Sequence, residues 1–108
     1  MSRPKVTHPT PAEAHCLKFL YEHGPATGRE YYEETEGRHG RAYTSLMSLM
    51  NVMYEKGQLS RTLEKRAFRY TPLITQAEMR TAILEAVLEN GFGGDVEALK
   101  SAVGALKP

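Results

Sequence analysis

The residues of this chain that are best suited to chemistry are cations and hydroxyl groups concentrated in residues 37–72. Seven Arg and Lys side chains in this stretch stand against two glutamates, although the whole 108-residue chain carries a net charge of only +1. Such side chains contact phosphate oxygens and base edges, so the stretch favours binding to a polyanion. Residues 73–108 carry three cations against five carboxylates, and this acidic tail predicts a part of the chain that does not bind nucleic acid.

The candidate contacts to DNA fall on one predicted helix and on the hairpin that follows it. The residues near the start of the helix that should face a groove are Arg41, Tyr43, Thr44, Ser45, Met47 and Ser48. Met47 and Ser48 are placed on the polar side of the helix, so they are the predicted base readers, through a thymine methyl group and a hydrogen bond. The cations on or beside the hairpin, which should reach phosphates, are Arg61, Lys65 and Arg66.

Apolar spacing predicts the helix that carries these side chains. The residues at i, i+3, i+4 and i+7, which form one face of a helix, are Leu46, Leu49, Met50 and Met53. Thr44 or Ser45 should cap the start of this helix with a hydroxyl group. Lys56 and Gly57 should end it, with a cation in the last turn and a glycine where positive φ is needed.

Two short alternating strands are predicted next, over residues 59–61 and 67–70, with a basic loop over residues 62–66 between them. A helix followed by a cationic hairpin is the layout of a winged helix-turn-helix. That fold places one helix in the major groove of DNA and the hairpin beside the backbone. Residues 10–72 are therefore predicted to form a winged-helix DNA-binding domain.

Three further helices are predicted to begin with a capping box, in which a threonine and a glutamate three residues later bond to each other's backbone. The pairs are Thr10 with Glu13, Thr27 with Glu30, and Thr75 with Glu78. The core face of the first helix comprises Cys16, Leu17, Leu20 and Tyr21. The second helix should be short, and the third should end at Asn90 and Gly91, which tolerate left-handed backbone.

The C-terminal residues 73–108 are predicted to form a helical dimerisation segment. Their apolar positions follow helical spacing and comprise Met79, Ile83, Val87, Val96, Leu99, Val103 and Leu106. Asp95 should cap the last helix, which is too short to be stable alone in water. The small N-terminal domain has little surface to cover both helices, so a second copy of the chain is the expected partner. A two-fold dimer also fits the two half-sites of a palindrome.

Several segments, in order along the chain, resemble the penicillinase-repressor family of winged-helix transcriptional regulators. The segments are Thr10-Pro11-Ala12-Glu13, Gly24-Pro25-Ala26-Thr27, residues 42–51, residues 55–59, and Gly91-Phe92-Gly93-Gly94. Each piece alone is common among winged helices, whereas their order over about residues 10–106 makes the resemblance fairly specific.

The resemblance implies a homodimeric repressor that binds double-stranded DNA and is joined through its C-terminal helices. It also points to a membrane sensor metalloprotease as a further candidate partner, because relatives that control antibiotic resistance are released when such an enzyme cuts their last helix. The aligned position, Ala102 and Val103, lacks the asparagine–phenylalanine pair of those relatives, so no cleavage site is assigned. Copper-responsive relatives carry paired cysteines near the C-terminus, and this tail has none.

Composition and motifs argue against several other classes of function. No set of nucleophile, base and orienting residue and no glycine-rich phosphate loop can be recognised, so the chain is not expected to be an enzyme. His15 and Cys16 are neighbours that point in different directions on one helix, and no metal or other cofactor is predicted. A single cysteine fits a reducing cytoplasm. The chain has neither an apolar membrane span nor a recognisable signal peptide, so no membrane insertion is expected.

These observations together predict a mainly α-helical protein with a small β-hairpin, in which a winged helix-turn-helix domain is followed by a C-terminal helical dimerisation segment. The predicted function is sequence-specific DNA binding in transcriptional regulation, by a homodimeric repressor of a palindromic operator. The alternative is a winged-helix module that docks an acidic protein partner without specific DNA binding. Salt dependence and sequence preference distinguish the two functions.

Overall fold

The computed structural model of the chain describes residues 8–35 and 42–106. Within them the chain forms five α-helices and a three-stranded antiparallel sheet. In chain order the elements are α1 (Pro11–His23), β1 (Ala26–Thr27), α2 (Gly28–Glu34), α3 (Tyr43–Glu55), β2 (Leu59–Glu64), β3 (Ala67–Pro72), α4 (Gln76–Phe92) and α5 (Val96–Ala105). This is the predicted fold class, a winged helix followed by C-terminal helices. Among the helices so described, none is both long enough and apolar enough to cross a bilayer.

The three predicted capping boxes are present at the starts of α1, α2 and α4. At α1, Thr10 Oγ1 accepts a hydrogen bond from the Glu13 backbone N–H at 3.2 Å, and Glu13 Oε1 accepts one from the Thr10 N–H at 3.0 Å. Asp95 caps α5 as predicted, because its Oδ1 accepts from the Ala98 N–H at 3.0 Å. These bonds satisfy amide groups that lack a partner inside the helix. Local sequence therefore fixes where these four helices begin.

The start of α3 differs from the other four. Its N-cap residue is Ala42, and no side-chain cap bond forms there. The prediction that Thr44 or Ser45 caps this helix is therefore wrong, because both residues lie inside its first turn. Their side chains are exposed on the helix surface.

The end of α4 also differs from the prediction. The helix continues past Asn90 and Gly91 as far as Phe92. Gly93 and Gly94 then both take a left-handed backbone, with φ of 56° and 84°. Two consecutive residues without a Cβ can form this turn at little cost, so they end the helix instead of the pair that precedes them.

The sheet has one strand more than the predicted hairpin. β1 pairs with β3, which also pairs with β2, so the strand order is β1-β3-β2. The partners of Ala26 and Thr27 in β3 are Tyr70 and Arg69. Two residues are too few to show the alternation by which a strand is recognised in sequence. Their pairing attaches the start of α2 to the hairpin.

The hairpin itself is longer than predicted and its turn is tighter. β2 and β3 each run for six residues, and Glu64 stands opposite Ala67 at the far end. Only Lys65 and Arg66 remain in the turn, so the predicted loop over residues 62–66 is wrong. The last residues of β2 are exposed on both faces. They therefore show no alternation of polar and apolar side chains by which a strand could be recognised in the sequence. Lys65 takes a left-handed backbone with φ of 58°, a conformation that costs a non-glycine residue about 1–2 kcal/mol.

The hydrophobic core lies between α1, α2, α3, the sheet and the start of α4. Its buried residues are Cys16, Leu17, Leu20, Ala26, Tyr31, Leu46, Met50, Met53, Leu59, Tyr70, Ile74 and Met79. The predicted core faces of α1 and α3 are confirmed, with Tyr21 and Leu49 partly buried at the edge. Burial raises the pKa of Cys16 to about 12, and the charge of Glu13 adds to the effect. The thiol therefore stays protonated and packs as a small apolar group.

The two C-terminal helices differ in how far the rest of the protomer covers them. α4 packs against α1, with Met79 and Ala82 buried and Ile83 packed against the core. The protomer's own core buries Met79, so the prediction that this residue serves a dimer interface needs correction. Ile83 is only partly buried, and its place at a dimer interface stays a prediction. α5, in contrast, has no buried residue.

Candidate nucleic-acid interface

The outer side of α3 carries polar groups in one line. Successive residues of an α-helix are rotated by about 100°, so positions i, i+4, i+7 and i+11 share a face. On α3 these positions are Thr44, Ser48, Asn51 and Glu55, which we call the outer line, and all four are exposed. The buried residues of the helix, on its other side, are Leu46, Met50 and Met53. The outer line is therefore the part of α3 that faces away from the protein.

A shallow groove runs beside the outer line. It is lined by Thr44, Ser45, Ser48, Leu49 and Val52. Its polar groups are three hydroxyls, and its apolar groups are the methyl groups of Leu49 and Val52. Hydroxyls bond to phosphates or base edges, and methyl groups pack on the thymine methyl, so both kinds of side chain suit a DNA groove. Three of the predicted contacts, Thr44, Ser45 and Ser48, come together here.

Met47 does not share this exposed surface. Its side chain packs against the core, and its Sδ and Cε atoms fill the space beside the Gly28 backbone, where a Cβ atom would collide with them. The prediction that Met47 lies on the polar side of α3 is therefore wrong. The reason is tertiary, because α2 docks on this flank of α3 and the missing side chain of Gly28 admits the thioether.

The first turn of α3 is buttressed by α2. The Tyr43 and Tyr32 rings meet edge to face, with centroids 5.6 Å apart. The Arg29 guanidinium carbon lies 5.6 Å from the Tyr43 ring centroid, and an exposed pair with Glu33 at 3.9 Å holds it only weakly. Arg29 is a candidate DNA contact that sequence reasoning missed. Its position inside the second capping box, in the first turn of the first helix of the helix-turn-helix, is the signal that could have found it.

Arg61 of the hairpin is stacked between two aromatic rings. Its guanidinium carbon lies 3.8 Å from the ring centroid of Tyr54 in α3 and 4.0 Å from that of Phe68 in β3. Its Nη1 donates a hydrogen bond to Asn51 Oδ1 at 3.0 Å. The sequence predicts that Arg61 reaches a phosphate, whereas in the structure these contacts hold its guanidinium group against α3. This side chain joins the hairpin to α3.

Arg69 joins the other face of the hairpin to α2. Its Nε and Nη2 donate to the two oxygens of Glu64 at 2.9 and 3.0 Å, and its Nη1 donates to Glu30 Oε1 at 3.0 Å and to the Pro25 carbonyl at 3.1 Å. The backbone N–H of Thr27 and then Arg69 hold the pKa of Glu30 below its ordinary value, and Arg69 also lowers the pKa of Glu64. Arg61 and Arg69 thus brace the hairpin from both sides.

Lys65 and Arg66 occupy the turn of the braced hairpin, and both are exposed. Flexible cations on a rigid support can follow phosphates without reading bases. The structure therefore separates the hairpin cations into two that hold it and two that it presents. The remaining predicted contact, Arg41, lies outside the described residues.

The far end of α3 is tied to α1 by a buried carboxylate. Glu13 is 3% exposed, and its two oxygens accept hydrogen bonds from Lys56 Nζ at 2.7 Å and from Gln58 Nε2 at 3.2 Å. Burial by itself would raise the pKa of Glu13, but the bonds from Lys56, Thr10 and Gln58, together with the charge of Lys56, lower it. The ion pair therefore fixes the position of α3 relative to α1.

A helix pair with an exposed polar line, followed by a braced hairpin with a cationic turn, defines the winged helix-turn-helix class. Comparison with known families agrees with this class. The family model described as penicillinase repressor matches residues 9–104, nearly the whole chain, and the chain belongs to this family of DNA-binding transcriptional repressors. A search of curated protein sequences finds no significant match.

Proposed function

We propose that this chain is a homodimeric repressor that binds a palindromic operator in double-stranded DNA and blocks transcription by occupying it. Membership of the penicillinase repressor family supports the general role. The observation that carries the proposal is the arrangement around α3. Its exposed side carries neutral polar groups, Arg29 of α2 lies beside its first turn, and the hairpin that presents Lys65 and Arg66 is joined to it through Arg61.

The neutral part of this surface suits base reading. Thr44, Ser45 and Ser48 are exposed on α3, and none of them carries a charge that would bind every phosphate equally. Hydroxyl groups donate or accept as the base edge requires, and each good base contact contributes about 1–3 kcal/mol of discrimination. Sequence preference is therefore assigned to α3.

The charged parts suit sequence-independent affinity. Arg29 is exposed beside the first turn of α3, while Lys65 and Arg66 are exposed at the hairpin turn. Each phosphate that a cation neutralises releases counterions, so affinity falls as the salt concentration rises. Cations on both α2 and the hairpin would hold the backbone while α3 lies in the groove.

A second copy of the chain is the proposed partner of α4 and α5. The large exposed apolar side chains on these helices are Leu84 (53% exposed), Val87 (40%), Val96 (47%) and Val103 (53%), and Leu106 (74%) directly follows α5. Full burial of one valine or leucine side chain contributes about 1.5–3 kcal/mol, and a two-fold interface uses each of them twice. The free energy gained by partly burying these side chains is therefore comparable to the free-energy cost of association, about 4–15 kcal/mol.

Selection from a random duplex library, followed by binding titrations at several salt concentrations, tests the proposal. We expect the wild-type protein to select a sequence with two-fold symmetry and to bind it at least 10³-fold more tightly than a scrambled duplex, as specific binding requires. Affinity for both duplexes should fall steeply with salt. Equal affinity for the selected and scrambled duplexes would contradict the proposal and would favour a protein-interaction module.

A further inference from the structure

The side-chain amide of Asn51 on α3 is held from both sides. Its Oδ1 accepts a hydrogen bond from Arg61 Nη1 at 3.0 Å, and its Nδ2 donates one to Glu55 Oε1 at 2.9 Å. An arginine can only donate and a carboxylate can only accept. The two partners therefore allow one orientation of the amide and exclude the flipped one.

This orientation leaves half of the amide's bonding capacity unused. An asparagine oxygen has two lone pairs and its nitrogen carries two hydrogens, and the bonds to Arg61 and Glu55 occupy one of each. Asn51 is exposed on the outer line of α3, one turn beyond Ser48. The remaining acceptor and donor of an amide with a fixed orientation are the two groups that bind the N6 amino group and the N7 atom of adenine in the major groove.

We propose that Asn51 is a specificity-determining residue that reads an adenine of the operator, and that Arg61 is the positioning residue that orients it. The inference rests on the proposed DNA-binding function and adds a base reader to it. Arg61 is suited to this role because its planar guanidinium stacks between Tyr54 and Phe68 while its edge points at Asn51. The contact between the hairpin and α3 thus fixes the side chain of Asn51 on the outer line of α3.

Three variants separate base reading from mere support of the fold. Asn51→Leu keeps the size of the side chain but removes both polar groups. Asn51→Asp combined with Glu55→Gln leaves only acceptors at position 51, avoids a pair of like charges, and suits cytosine instead of adenine. Arg61→Lys keeps the positive charge but loses the planar, stacking group. Lys65→Asn with Arg66→Ala is the matched control, because it removes two cations from the same hairpin and asparagine tolerates the left-handed backbone.

Selection from a random duplex library gives the first readout. We expect Asn51→Leu to lose its preference at one base pair per half-site, with roughly 10- to 100-fold weaker binding to the wild-type sequence and an unchanged salt slope. The Asn51→Asp, Glu55→Gln variant should prefer cytosine where the wild type prefers adenine. The control should bind all duplexes more weakly and keep the wild-type preference.

A double-mutant cycle gives the second readout. Arg61→Lys should weaken discrimination at the same base pair as Asn51→Leu, and should add nothing to it when the two are combined. Melting curves establish that each variant is folded. A variant set that selects the wild-type sequence with unchanged preference at every position overturns the assignment of Asn51, while the proposed function stands. A wild-type protein that selects no sequence overturns both.

Discussion

Replacing Glu13 by glutamine tests the link between α1 and the end of α3. Glutamine keeps the shape of the side chain and can still serve in a capping box, but it removes the charge that pairs with Lys56 Nζ at 2.7 Å. Lys56→Met removes the other partner. The two single variants and the double variant form a cycle that isolates the energy of the pair.

The burial of the two partners sets the expected magnitude. A hydrogen bond to a charged group contributes about 1.5–3 kcal/mol, whereas an exposed ion pair contributes about 0–1 kcal/mol. The side chain of Glu13 is 4% exposed and that of Lys56 is 41% exposed. The pair therefore lies between these cases, and we expect a coupling free energy of about 1–2 kcal/mol at pH 7.

The pH dependence of this contribution follows from the lowered pKa of Glu13 in the folded protein. The unfolded chain binds the proton more readily than the folded one, so Glu13 stabilises the fold at pH values above the ordinary value of 4.5. This contribution should decline as the pH falls below 4.5 and through the lowered pKa. The difference in unfolding free energy between wild type and Glu13→Gln should therefore be constant from pH 7 to about 5 and should shrink in acid.

Thermal unfolding at fixed protein concentration provides the measurement, because dimerisation would make the Tm concentration-dependent. A loss of 1 kcal/mol corresponds to a Tm decrease of roughly 4–8 °C for a domain of about this size. Other carboxylates with lowered pKa values, such as Glu30, are present in both proteins and cancel in the difference. A coupling energy near zero, or a difference that persists unchanged at pH 3, would refute the reasoning.

Three other predictions concern the dimer, the hairpin turn and the helix interface. Val87→Asp with Val103→Asp should give a monomer by light scattering, whereas Ser101→Asp, on the opposite face of α5, should leave the mass of the wild-type dimer. If all three proteins have the same mass, these valines are not at an interface. Lys65→Asn with Arg66→Ala should reduce the dependence of log affinity on log salt by up to about two phosphate contacts, and a loss confined to the specific duplex would show that the turn reads bases. Gly28→Ala should lower the unfolding free energy by about 1 kcal/mol, because the new Cβ displaces the flexible Met47 thioether. In a Met47→Ala background the same substitution should cost nothing. A cost that persists in the double variant would mean that Met47 does not fill this space.

The starts of four helices and the core faces of α1 and α3 could be predicted from the sequence because both depend on short-range geometry. A capping box spans four residues, as from Thr10 to Glu13, and both of its hydrogen bonds join residues within that span. The 3.6-residue period likewise placed Leu46, Met50 and Met53 on one face before any packing partner was known. The resemblance to the penicillinase repressor family also depends on short segments and their order along the chain, and the family model confirms it over residues 9–104.

The surface of α3 could not be predicted to the same depth, because side chains distant in sequence decide it. Met47 and Ser48 are neighbours, yet the docking of α2 partly buries Met47 and leaves Ser48 exposed. Period alone marks a polar side of the helix, but it does not show which flank another helix will occupy. For the same reason Met79 belongs to the protomer's core.

The cations of the hairpin show what depends on local sequence and what depends on tertiary contacts. The sequence by itself determined that residues 37–72 are basic and that a hairpin follows a helix there, since charge and alternation are local properties. Only the tertiary structure decided that Arg61 and Arg69 brace the hairpin while Lys65 and Arg66 are presented by it. The rings and carboxylates that engage the first two come partly from α2 and α3, and a contact between distant residues exists only once the chain has folded.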